Sequence, residues 1–90
     1  MTTPKRSSRV TYEIVDDQAI LIDGEGRELI TLNPVGTLVW VALDGTVTEQ
    51  GLVEILASRF PEVERRRLAA DIDTFLSELR ELDLLEESDR

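Results

Sequence analysis

The chain has 90 residues, of which 41% are hydrophobic, so we expect one small domain with a single core. It contains neither cysteine nor histidine, which excludes thiol and imidazole catalysis, disulfides and Cys/His metal sites. Nineteen acidic against ten basic residues give a net charge of −9, which repels nucleic acid and anionic membranes at long range. No apolar run could span a bilayer, and no secretory signal follows Lys5 and Arg6, so a cytoplasmic location is expected.

Alternation of apolar and polar residues predicts three short β-strands in the first third of the chain. Val10, Tyr12 and Ile14 alternate with polar residues, which is typical of a strand with one buried face. Tight turns are expected after Val15 and at residues 23–26, so the strands should form an antiparallel meander whose first and third strands are edges. The predicted strands are residues 9–15, 19–22 and 27–32.

Helical signals begin with the run Leu-Asn-Pro-Val-Gly-Thr-Leu-Val-Trp at residues 32–40. Asn33 is a suitable N-cap, and Pro34 fits the first helical position, where a missing N–H costs nothing. Gly45 ends this helix because glycine readily adopts the left-handed conformation. Trp40 is expected to anchor the core. The predicted helices are residues 34–43, a second helix from a Thr48 cap to residue 60, and residues 63–82.

This order of elements predicts an α+β domain in which a three-stranded antiparallel meander is followed by three helices. Residues 9–85 form the domain. The polar residues 1–8 are expected to be a disordered tail, and residues 86–90 an acidic, solvated tail. Apolar residues recur at spacings of three and four along the third helix, which gives it one apolar face. They are Leu68, Ile72, Phe75, Leu76, Leu79 and Leu82.

The three predicted strands and then two motifs, in a fixed order, cover nearly the whole chain from about Val10 to Leu85. The first motif is carried by Leu32, Asn33, Gly36 and Trp40, and is followed by Asp44-Gly45-Thr46. The second is carried by Asp71, Ile72, Phe75, Leu76 and Leu79, and is followed by Leu84-Leu85. This pattern resembles the PqqD-like family, also called RiPP recognition elements. Pro34 and Val35 depart from the family, which often has polar or small residues there, but proline suits the position.

The resemblance implies a winged helix-turn-helix-like domain that performs no chemistry itself. Such a domain binds the leader segment of a ribosomally made precursor peptide as an extra strand beside its third strand, in a groove completed by the third helix. It delivers the precursor to a separate processing enzyme, and stand-alone members resembling this chain serve lasso-peptide pathways. No cofactor, metal, membrane or nucleic acid is implied. The implied peptide-binding residues are Glu28, Leu29, Ile30, Thr31 and Leu32 of the strand, and Arg67, Leu68, Asp71, Ile72, Phe75, Leu76 and Leu79 of the helix.

Two side chains of the third helix leave alternatives open. Leu76 lies about 100° around the helix from Phe75, so the apolar face is wide and one flank could line a groove, with Leu76 beside the core. Asp71 is either a solvated residue paired with Arg67, four residues earlier, or a polar contact to the peptide.

Three alternative functions are weighed against leader binding for a lasso pathway. The first is the same fold acting as a peptide chaperone for a radical enzyme in cofactor or other modified-peptide biosynthesis. The second is a winged-helix transcription regulator, which the acidic composition and the carboxylates around Arg65-Arg66-Arg67 disfavour. The third is an enzyme. Only carboxylates, Lys5, Tyr12 and hydroxyl groups are available for catalysis, and none falls in a recognisable catalytic arrangement.

Overall fold

The computed structural model of the protein describes residues 2–23, 26 and 28–89. Part of the predicted second turn (residues 24 and 25), the predicted start of the third strand (Arg27) and the two terminal residues lie outside this description. The predicted α+β architecture, a three-stranded antiparallel meander with three helices, is confirmed. The elements are β1 Thr2–Arg6, β2 Thr11–Val15, β3 Gln18–Ile22, β4 Leu29–Thr31, α1 Pro34–Ala42, α2 Glu49–Arg59, α3 Arg65–Glu81 and β5 Leu85–Asp89.

β2, β3 and β4 form the predicted antiparallel meander, with β2 and β4 as its edges. β2 and β3 are joined through Asp16 and Asp17, whose φ angles of 53° and 64° are those of a two-residue hairpin turn. Alternate residues face the core, so Ala19 and Leu21 of β3 are fully buried. Leu32, just beyond β4, is buried on the same side.

α1 is attached to the sheet through its first turn. Asn33 is its N-cap, as predicted, and the Asn33 side chain accepts a hydrogen bond from the Gly36 N–H at 2.7 Å. The buried Thr37 Oγ1 accepts from the Ala19 N–H at 2.8 Å. The same hydroxyl donates to the Leu32 carbonyl at 3.5 Å. One side chain therefore joins α1 to β3 and to the end of β4.

One apolar core lies between the meander and the helices. Trp40 is fully buried, as predicted, and its ring meets that of Tyr12 edge-on with the centroids 5.8 Å apart. The prediction that Leu76 lies on the flank of the core is wrong, because this side chain has no exposed surface. Phe75, about 100° away around α3, is half-buried instead.

Segments near both ends form strands, Thr2–Arg6 and Leu85–Asp89. For the described residues, this corrects the prediction of a disordered tail at residues 1–8 and a solvated tail at residues 86–90. β1 pairs antiparallel with β5, so that Lys5 lies opposite Glu86. Thr3 and Pro4 are buried. β1 and β5 together form a two-stranded terminal ribbon, which is ordered by backbone pairing between segments far apart in the sequence. Neither segment carries the apolar alternation that would have indicated a strand.

Arg6 ties the terminal ribbon to α1. Its guanidinium donates to the carbonyl oxygens of Trp40 at 3.0 Å and Val41 at 2.7 Å, and lies 5.6 Å from the centre of the Tyr12 ring. α1 has no basic residue in its own last turn. Arg6 therefore supplies the positive charge that stabilises the carbonyl end of this helix.

Replacement of Trp40 tests this account of the core. Trp40→Ala should lower the free energy of unfolding by about 3–5 kcal/mol, because a large buried ring is lost. Trp40→Phe is the matched control, since it keeps a ring and removes Nε1, a buried donor without a hydrogen-bond partner among the described residues. Thermal and urea unfolding followed by circular dichroism measures both. A Trp40→Ala variant that melts cooperatively at the parent temperature contradicts the assignment.

Candidate functional site

Two hydrogen bonds fix the register of β4 against β3. The Leu32 N–H donates to the Ala19 carbonyl at 2.8 Å, and the Asp23 N–H donates to the Glu28 carbonyl at 3.4 Å. Hydrogen-bonded and non-hydrogen-bonded pairs alternate along an antiparallel ladder. Every second residue from Glu28 to Leu32 therefore directs its backbone groups towards β3.

The residues between these positions leave the other side of β4 open. Ile30 is opposite Leu21 and belongs to the set that faces β3. Leu29 and Thr31 consequently direct their N–H and C=O groups away from the sheet. Among the described residues, no strand pairs with this side of β4. β4 thus presents four free backbone groups to a partner strand.

A cleft of about 500 Å³ lies between this free edge and α3, with α1 as its third wall. Its lining includes buried apolar residues from four elements or their ends: Leu32, Val39, Leu56 and Ile72. The half-buried Phe75 lines it from α3, and Val35, which is 41% exposed, lines it from α1. The interior of this β4–α3 cleft is therefore apolar and suited to an apolar side chain.

Gly36 allows α1 to lie close to α3 at the cleft. A Cβ at this position would be 3.2 Å from Asn33 Oδ1 and 3.5 Å from Phe75 Cε1. The first distance is shorter than an ordinary carbon–oxygen contact, so a side chain here would press on the helix cap and reduce the cleft. The Leu-Asn-x-x-Gly run therefore shapes the cleft as well as starting α1.

The rim of the cleft on the α3 side is acidic. Asp71 and Glu78 both line it, on either side of Phe75 along the helix. The predicted pairing of Arg67 with Asp71 is present, with Nε and Oδ2 3.7 Å apart and both side chains exposed. An exposed pair of this kind contributes a few tenths of a kcal/mol. Asp71 therefore pairs with Arg67, as the first alternative states, and it also lines the cleft.

The structure brings only part of the predicted site together. The residues of that set that line the cleft are Thr31, Leu32, Asp71, Ile72 and Phe75. The residues that belong to the same edge without lining the cleft are Glu28, Leu29 and Ile30. The residues that are buried in the core and line no part of the cleft are Leu68, Leu76 and Leu79. Arg67 lies on the surface beside Asp71.

Sequence reasoning left six residues that line the cleft out of the predicted site: Asn33, Val35, Gly36, Val39, Leu56 and Glu78. Of these, Asn33 and Gly36 were identified only as motif residues. Val35 and Val39 are four residues apart, which places them on one face of α1, so their shared face could have been found from the sequence. The contribution of Leu56 could not, because it depends on how α2 packs against the other helices.

The carboxyl groups with clearly lowered pKa values lie outside the cleft. The Thr46 hydroxyl at 2.6 Å and the Thr46 N–H at 2.9 Å lower the pKa of Asp44. The Ser8 N–H at 2.7 Å lowers the pKa of Glu86. Both groups stabilise local structure, one in a turn and one beside the terminal ribbon. Within the part of the chain that the structure describes, no acidic cluster is arranged for a metal ion and no helix is long and apolar enough to cross a membrane.

Solved structures share this fold over almost the full length of the chain. One, described as "TbiB1 in Complex with the TbiA(beta) Leader Peptide", is 26% identical, with 91% of this chain and 94% of that chain covered and a TM-score of 0.83. Another, "Lasso peptide synthetase B1 complexed with the leader peptide", is 23% identical, with 93% and 98% covered and a TM-score of 0.82. At 23% identity, the second likeness shows the fold alone.

Comparisons of sequence show the family of the chain. A search of curated proteins gives no match. The family profile of "Coenzyme PQQ synthesis protein D (PqqD)" matches residues 18–85. This range contains β3, β4 and the three helices, and so includes the free edge and every residue that lines the cleft. The chain therefore belongs to the PqqD family, as its two motifs indicate.

Proposed function

We propose that this chain is an adaptor, without catalytic activity of its own, that binds the leader segment of a ribosomally made precursor peptide and delivers it to a processing enzyme. The observation that carries the proposal is the free side of β4 directly beside an apolar cleft. TbiB1, which is 26% identical, is described in complex with a leader peptide. The pathway is that of a lasso peptide, because stand-alone family members that resemble this chain serve such pathways. A cytoplasmic location belongs to the same proposal.

Strand addition provides the binding energy in two parts. Backbone hydrogen bonds to Leu29 and Thr31 contribute about 0.5–1.5 kcal/mol each. An apolar side chain of the leader that enters the cleft beside Phe75 contributes about 1.5–3 kcal/mol. Loss of translational freedom and ordering of the peptide offset much of this sum. Four hydrogen bonds and one side chain supply at most about 9 kcal/mol before these losses. The Kd on the order of 0.01–10 μM that we expect therefore requires a second apolar side chain of the leader or further contacts.

A second candidate function is favoured by the description of the matching family, which refers to synthesis of coenzyme PQQ. In this version the chain presents its peptide to a radical enzyme, through the same edge and the same cleft. The two candidates differ only in the enzyme that receives the peptide. A leader protease and a radical enzyme encoded beside the gene of this chain are the two candidate partners. The one that co-purifies with the adaptor decides between the two functions.

The purified chain should bind a leader peptide and leave it intact. The probes are synthetic leaders from short precursor genes adjacent to the gene of this chain, titrated by fluorescence anisotropy. Saturable binding within the stated range is expected, and mass spectrometry should recover only full-length peptide after prolonged incubation. Hydrolysis that persists across independent preparations, or no binding to any candidate leader, contradicts the proposal.

Proline substitution at the free edge should separate binding from folding. Thr31→Pro removes an N–H that points away from β3, so the sheet should stay intact, as edge strands tolerate proline at such positions. Leader affinity should fall about tenfold, which corresponds to about 1.4 kcal/mol. Thr31→Val is the matched control, because it keeps the N–H and the branched shape. The edge assignment fails if both variants fold and bind equally well.

A charge placed in the cleft should weaken binding, whereas the same charge elsewhere on α1 should not. Val35→Asp puts a carboxylate among the apolar lining residues, where a bound peptide would strip it of water. We expect leader affinity to fall about tenfold or more. Val41 is 44% exposed, similar to Val35, but lies outside this cleft. Val41→Asp is therefore the control, and equal losses in the two variants would argue against the cleft as the site.

A further inference from the structure

The outer face of the meander, opposite the core, carries a cross-strand row that ends at the free edge in two apolar residues, Ile22 and Leu29. Leu29 is 71% exposed, the most exposed of the large apolar side chains described. Its cross-strand partner on β3 is Ile22, which is half-buried, and the row begins at Thr11 on β2. The neighbouring row ends at the polar Thr31. The outer face thus offers apolar surface beside one edge position and polar surface beside the next.

A strand added to β4 continues both rows by one residue. Residues directly opposite each other in an antiparallel pair have their side chains on the same face of the sheet. The residue added beside Leu29 therefore places its side chain on the outer face. Residues added beside Ile30 and Leu32 place theirs on the opposite face, where the cleft lies.

We infer that the leader peptide is recognised on both faces of the added strand, by the β4–α3 cleft on one side and by Leu29 on the other. This inference rests on the proposed function and adds the substrate class. The peptide carries one apolar residue for the cleft and a second for the outer face. Because the two face opposite sides, they are separated by an odd number of positions, one or three.

This spacing distinguishes recognition on two faces from recognition by the cleft alone. A peptide held only by the cleft needs apolar residues at even separations, because alternate residues of a strand face the same side. The residues between them can be of any type. A side chain packed against Leu29 adds a cross-strand contact that changes affinity by about fivefold or less. A charge introduced at Leu29 should convert the apolar preference at that single peptide position into a preference for the opposite charge.

Selection from a display library of random linear peptides tests the inference without knowledge of the natural leader. The parent chain, Leu29→Lys and Val15→Lys are each used as the target. Val15 is the matched control because it is 49% exposed on the same outer face, but on β2, the far edge. Both substituted side chains are exposed, and thermal unfolding checks that the variants fold.

Peptides selected by the parent should carry two apolar residues at odd separation. Selection by Leu29→Lys should keep the cleft residue and replace the other with Asp or Glu, whereas Val15→Lys should select the parent pattern. Leu29→Ser should bind parent-selected peptides about two- to fivefold more weakly.

Each contrary result has its own meaning. The inference is overturned if the selected peptides keep the cleft residue but carry their second apolar residue at an even separation from it. It is also overturned if Leu29→Lys does not select an acidic residue in place of the second apolar one. The proposed function stands in both cases. The same holds if Val15→Lys produces the acidic replacement. Enriched peptides that bind Thr31→Pro as well as the parent overturn the proposed function itself, as does the absence of any enriched strand-like peptide.

Discussion

Burial of Trp40 holds the parts of the molecule in one arrangement. Its ring packs edge-on against Tyr12 of the meander, and its carbonyl oxygen accepts from Arg6 of the terminal ribbon. The helix that carries it is also joined to β3 and to the end of β4 through the Thr37 hydroxyl. The position of α1 is therefore determined from both ends. Because α1 forms one wall of the cleft, the shape of the candidate site depends on this buried ring.

The free edge of β4 is the second constraint, since unpaired backbone groups on an exposed strand favour association with another strand. Proteins commonly block such an edge with charges or proline, but the three residues of β4, Leu29 to Thr31, include neither. The strand is short, which limits uncontrolled association, and its open side adjoins an apolar cleft. An edge kept open beside a cleft favours a peptide that contributes both a backbone and a side chain.

Local chemistry made much of the fold predictable. Asn33 and Thr48 cap their helices because short polar side chains satisfy free amides in the first turn, and this preference is visible in the sequence. The strand order followed from short turns. The terminal ribbon could not be predicted, because its strands are ordered by a partner at the other end of the chain. Leu76 was placed on the flank of the core and not within it, because adjacent residues of a wide apolar stripe cannot be ranked without the packing of the helices around it.

The candidate site was predictable in outline but not in its register. The motif residues and the third strand pointed to the free edge beside the cleft. The direction of each backbone N–H, however, depends on which residues of β3 and β4 are opposite each other. Only the observed register shows that the backbone N–H and C=O groups of Leu29 and Thr31 point away from the sheet, whereas those of Ile30 point towards β3. The residues contributed by α2 and by the interior of α1 likewise depend on tertiary packing. Sequence patterns therefore pointed to this edge, and the observed register defines which of its backbone groups are open.

Amide hydrogen exchange resolved by residue is the most direct measurement of strand addition at β4. A peptide that binds the purified chain is added to saturation, and exchange rates are compared with those of the free protein. The account predicts that the Leu29 and Thr31 amides become strongly protected, whereas the Ile30 amide, already bonded within the sheet, changes little. Protection confined to Thr11–Val15, the other edge strand, or no change at Leu29 and Thr31 despite tight binding, would contradict it.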